Sequence, residues 1–250
     1  MVTLKDFAEY MDVDGLIHTR KCADGVASTL NGVCYTGEVL ALMGWTKLCE
    51  RSPDFIRHGQ AIASCSDHGL LQRLPLRLGR TPQQGPDDYM GAFAGLGAVH
   101  MYDSIDEILT YGRRNFWVMN NENPGRFRPA AWFGRFPQII GMGYWAARLK
   151  APLFCNLWAA AALLVSQRKP PEQDQDAYRF SALLILVHSS QLPMLQSTLV
   201  RWAGRWWWRQ FKRKGYSMRQ ILGRYLGGEY DHPLAILWGE YETEVLATGI

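Results

Sequence analysis

The spacing of apolar residues constrains this chain more than any single motif. In SIDEILTYGRRNFW, Ile105, Ile108, Leu109, Gly112 and Phe116 recur at three- and four-residue steps. Met90, Phe93, Ala94 and Gly97 repeat the pattern, as do Phe55, Gly59 and Ile62, and Met218, Ile221, Leu222 and Tyr225. Such steps gather apolar side chains into one stripe along a helix. Strand-like alternation is rare; FSALLILV (180–187) fits a strand or a buried helix. Pro- and Gly-rich loops punctuate the pattern at 79–86, 120–129 and 168–175. The reading is all-α: one domain over 1–250, built from about eleven helical segments in successive pairs, with no strict repeat. The small residues Gly91, Ala94, Gly95, Gly97 and Ala98 would let helices approach closely.

Composition narrows the class. With 48% hydrophobic residues in 250, core material is ample. The net charge of +4 does not by itself call for nucleic acid, although it is unevenly spread: 177–228 holds nine Lys or Arg and no Asp or Glu. The five cysteines form no CxxC, which argues against a zinc ribbon and fits reduced thiols in a cytosolic compartment. The N-terminus carries acids early and lacks an apolar core of the signal-peptide kind, so synthesis in the cytoplasm is expected. The stretch 151–167, with Pro152 and Asn156, is shorter than the roughly 20 residues a span needs and reads as a buried helix. No transmembrane segment is expected.

Polar residues crowd three helix entrances. STLNGVCYTGEVL (28–40) brings Ser28, Asn31, Tyr35, Thr36 and Glu38 together just after Asp24. GPDDYMG places Asp87 and Asp88 before an apolar helix, and EYDHPLAILW places Glu229, Asp231 and His232 before Pro233. Capping accounts for one such residue per helix, and Pro233 suits a first helical position. The surplus carboxylates suggest acid–base chemistry. Glycoside cleavage needs a protonated carboxyl and an ionised partner, here Glu38 with Asp87 or Asp88.

GRFRPAAWFGRFPQ (125–138) adds Arg126, Arg128 and Trp132. Guanidinium forks recognise carboxylate or phosphate, and an indole face stacks on a sugar ring, so an acidic polysaccharide would suit both. The six histidines form no recognised metal motif, and neither a metal nor a cofactor is expected. RWAGRWWWRQFKRKGY (201–216) sets Arg201, Arg205 and Arg209 on one face beside Trp202 and Trp206. It reads as an outer helix with aromatic packing, or as a contact for another protein or an acidic polymer.

Taken in order, Asn31-Gly32, Tyr35-Thr36-Gly37-Glu38, Asp87-Asp88 before Gly91, and His232-Pro233 resemble a pattern in helical proteins of tailed phages and bacteria. The architecture resembles the α/α toroid of unsaturated glucuronyl hydrolases and polysaccharide lyases. That resemblance implies a glycan-facing cleft at the loops before the inner helices. Glu38, Asp87, Asp88, Tyr35 and His232 would do the chemistry, the last two if the reaction is a lyase elimination. Asn31, Arg126, Arg128, Trp132 and Asp231 would hold the sugar. Such toroids are usually longer, so this one would be minimal or an incomplete barrel. The other reading is a non-catalytic virion, tail or assembly protein that binds neighbouring copies.

Overall fold

In the computed structural model, the described residues are 2–29, 31–45, 53–79, 85–115 and 231–247, with scattered positions from Gly143 to Leu226. They are mostly helical, in keeping with the all-α reading. Four α-helices come first: α1 (Gly32–Trp45), α2 (Pro53–Ala63), α3 (Pro86–Ala98) and α4 (Tyr102–Arg114). The last described helix, α5, runs Pro233–Ala247. Closure of a toroid would depend on 116–230, most of which lies outside the described residues. So do the 120–129 and 168–175 loops, FSALLILV, the candidate span at 151–167 and the stripe beginning at Met218. No helix among the described residues is long and apolar enough to cross a membrane.

The apolar stripes face inward as their spacing predicts. Ile105, Ile108, Leu109 and Gly112 of α4 are buried, as are Phe55, Gly59 and Ile62 of α2. Helix α1 is different. Val33 and every residue from Val39 to Met43 are buried, so this helix is covered nearly all round. It is the centre of the fold, touching α2, α3 and α5.

The α1–α3 contact is backbone on backbone. A β-carbon added at Gly37 would lie 1.8 Å from the Gly91 carbonyl oxygen, and one at Gly91 would lie 2.5 Å from the Cys34 Cα. One at Gly95 would lie 2.6 Å from the Gly37 Cα. Only glycine permits such an approach. The small-residue stripe of α3 therefore finds its counterpart at Gly37, inside the Tyr-Thr-Gly-Glu segment.

Smaller elements frame the helices. A 3₁₀ helix, Leu4–Tyr10, opens the described chain, with Phe7 and Tyr10 buried. Next comes a tight reversal at Asp14-Gly15, where Gly15 adopts φ 92°. A two-residue hairpin pairs β1 (Ser66–Asp67) with β2 (Leu70–Leu71), antiparallel. Arg77, in a short 3₁₀ turn (Leu76–Leu78), grips Asp14 through two bonds of 2.7 and 2.6 Å and ties that turn to the reversal.

Candidate functional site

The polar residues at the entrance to α1 fasten the N-terminal segment to the core. Thr36 Oγ1 donates to the Gly32 carbonyl (2.6 Å) and accepts from the Ile17 amide (2.7 Å). Ser28 Oγ donates to the Arg20 carbonyl at 2.7 Å. The Asn31 carbonyl accepts the Tyr35 amide at 3.2 Å, opening the helix, and the Tyr35 side chain is buried. Asp24 is exposed in a short 3₁₀ turn.

Behind this segment stands a buried pair that sequence reasoning missed. His18 Nε2 lies 2.9 Å from Asp12 Oδ2, and His18 Nδ1 lies 3.2 Å from Thr29 Oγ1. Asp12 Oδ1 also accepts the Asp14 and Leu16 amides, each at 2.9 Å. Burial opposes ionisation of Asp12, but His18 and these amides outweigh it and hold the carboxyl below its ordinary value. The available signal was the Asp-Gly turn of DVDGLIH, which folds an aspartate back toward a histidine six residues on.

Glu38 is left over from this fastening. It is buried on α1, and Oε1 accepts the Trp238 indole N–H at 2.9 Å. Its Oε2 is buried without a hydrogen-bond partner. Burial drives its pKa well above the ordinary carboxylate value, against the smaller opposing effect of Trp238. Burial thus favours the protonated, neutral form of Glu38. Trp238 stands 200 residues away in sequence, so no local pattern could have paired the two.

Asp88 is the second such group. The helix cap is Gly85, not either aspartate: its amide donates to Asp88 Oδ2 at 2.8 Å, and its carbonyl accepts the Asp88 amide at 3.1 Å. Arg73 Nε stands 3.4 Å from the same carboxylate oxygen, while Oδ1 is buried without a partner. Burial, helped by the neighbouring Asp87, pushes the Asp88 pKa up to about 7 against the pull of Gly85 and Arg73. Asp88 turns inward and Asp87 is half-buried, which separates two residues the sequence left equivalent. Arg73 was not anticipated.

His232 is buried at the entrance of α5. Its Nδ1 accepts the Leu234 amide at 3.1 Å and its carbonyl accepts the Ile236 amide at 3.1 Å. It caps the helix, with Pro233 in the first helical position as expected. Because Nδ1 accepts, the ring proton sits on Nε2, which is buried with no hydrogen-bond partner. Burial lowers its pKa to about 4, opposed by the nearby His18 backbone. The Tyr10 ring meets His232 edge-on, with centroids 4.3 Å apart.

These groups are not gathered into one constellation. Glu38 faces Trp238 on α5, Asp88 faces Arg73 and Gly85, and His232 faces Tyr10. Asp231 is exposed. Arg126, Arg128 and Trp132 lie outside the described residues. In the basic run, Trp202, Arg209, Lys212 and Arg213 are exposed, and Lys212 reaches Glu242 of α5 at 2.5 Å. His58 is structural: its Nδ1 donates to the Gly15 carbonyl at 2.7 Å. Among the described residues, Cys22, Cys34 and Cys65 are free thiols, and no group of three or more His, Cys, Asp or Glu is placed to hold a metal. No family model matches this chain, and comparison with curated proteins and with solved structures returns no match.

Proposed function

We propose that the chain binds and cleaves a glycan, an acidic one by preference, with Asp88 as the group that moves the proton. One observation supports this above the others. Asp88 is a fully buried carboxyl with a free oxygen and a pKa of about 7, so it can both give and take a proton near neutrality. A purely structural carboxylate at a helix entrance would be expected to spend both oxygens and to stay ionised. Glu38, its pKa raised by burial and one oxygen unspent, is the second candidate acid, on α1 and apart from Asp88. Asp87, beside Asp88, would be the partner carboxylate.

The test is a screen of acidic and neutral polysaccharides that reads new reducing ends and the absorbance of an unsaturated sugar. Reducing ends without absorbance mean hydrolysis, and both signals mean elimination, which moves attention to Tyr35 and His232. Asp88→Asn is expected to lower the rate about 100-fold or more. Cleavage that survives both Asp88→Asn and Glu38→Gln would refute the proposal.

A second reading has its own support. Trp202 is 56% exposed and Val13 and Val26 are more than 60% exposed, as befits anchors for a neighbouring protein. Under it the chain is a non-catalytic virion or assembly protein. Silence on every polymer, with self-association lost in Trp202→Ala, would favour this reading.

A further inference from the structure

We propose that Thr29, His18 and Asp12 form a nucleophile–base–orienter chain that accepts an acyl group from an activated ester. The inference is independent of the glycan reading and uses none of its residues.

The direction of each bond carries the argument. Asp12 Oδ2 can only accept when ionised, so His18 Nε2 holds the proton between them, at 2.9 Å. In the neutral ring, Nδ1 is then the acceptor and the Thr29 hydroxyl is the donor, at 3.2 Å. With the ring neutral, the Thr29 proton points at a base that is wholly buried and backed by a buried carboxylate. That is the polarity an activated hydroxyl nucleophile needs. Neighbouring hydroxyls differ: Ser28 and Thr36 both donate to backbone carbonyls, which are not bases. Thr29 is half-buried as a residue, whereas His18 behind it is fully buried.

In the step, Thr29 Oγ1 attacks the ester carbonyl carbon and His18 Nδ1 takes the hydroxyl proton. The leaving alcohol departs with that proton, leaving an ester on Thr29. Water, deprotonated by the same nitrogen, then releases the acid and restores the hydroxyl. Asp12 holds the ring and balances its transient charge.

The experiment treats the full chain with p-nitrophenyl acetate at mildly alkaline pH, quenches in acid and maps acetyl groups by tandem mass spectrometry. An acetyl on Thr29 is expected in the wild type, and acetylation of the whole protein, once the lysine share is subtracted, is expected to run about 100-fold more slowly in Thr29→Val. Thr29→Ser keeps the hydroxyl and is expected to retain the reaction, which guards against a folding defect in the valine variant. Acetyl on lysines alone in the wild type, or an undiminished rate in Thr29→Val, would overturn the proposal, because a purely structural hydrogen bond leaves no covalent mark.

Discussion

Two sets of buried polar groups treat their hydrogen bonds in opposite ways, although Thr36 and Glu38 stand two residues apart on α1 and His232 lies near the His18 backbone. Around Asp12, His18 and Thr36, both Asp12 oxygens, both His18 nitrogens and the Thr36 hydroxyl find partners. At Glu38, Asp88 and His232, one buried atom of each is left without one. Burial without a partner costs free energy, so a satisfied network adds to stability while an unsatisfied group draws on it. Polar crowding in sequence is thus a poor guide to a site. What remains after the fold has used its share is a better one.

That contrast can be broken at its frame. Gly37→Ala places a methyl into the Gly91 carbonyl, so helices α1 and α3 must separate. We expect a loss of about 3 kcal/mol or more in urea unfolding, reaching both regions together. A near-neutral result would mean the two helices are not in backbone contact.

Asp12→Ala strands two amides and the His18 ring. The expected cost is about 3 kcal/mol, with earlier proteolysis of the N-terminal segment. Glu38→Gln should behave differently. Burial favours the uncharged form of Glu38, and glutamine is an uncharged isostere that can still accept from Trp238, so stability should change by about 1 kcal/mol or less. A loss as large as that of Asp12→Ala would show that Glu38 belongs to the structural network. Ser28→Ala, which removes one bond at the edge of the fastening, is expected to cost about 1 kcal/mol.

The pH dependence sharpens the same contrast through its signs. Asp88 has its carboxyl raised from 3.8 to about 7, so the folded state holds a proton the unfolded chain has lost. Its contribution is present at low pH and is lost as pH rises through that interval. Glu38 acts in the same direction. His232, lowered from 6.5 to about 4, acts oppositely: stability rises with pH across that window, because the unfolded state binds the extra proton. Asp12, held below its ordinary value, withdraws its support only as pH falls through its folded pKa. Asp88→Asn should therefore flatten the fall in stability between about pH 4 and 7, measured by urea titrations across that range.

How much of this could be read from the chain follows from the range of each interaction. The stripe of α4 is visible because Ile105, Ile108 and Leu109 all point one way and its other face is polar. The glycines of α3 announce a close approach, but their partner Gly37 is more than fifty residues earlier and only packing identifies it. The choice between Asp87 and Asp88 turns on about 100° of helix rotation, which needs the helix start at Gly85-Pro86 to be known. Glu38 was recognisable as an acid in an apolar helix; its bond to Trp238 was not. The Asp12–His18 pair escaped notice because its polar residues sit in a loop before the first helix rather than at a helix mouth.

The most direct test of the account is the ionisation of Asp88, followed by carboxyl ¹³C NMR from acid to mild base and assigned by the signal lost in Asp88→Asn. A midpoint near 7 is what a buried, under-partnered proton carrier predicts. A midpoint in the ordinary range, near 3.8, would make Asp88 a satisfied helix-entrance carboxylate and remove the basis for placing the chemistry there.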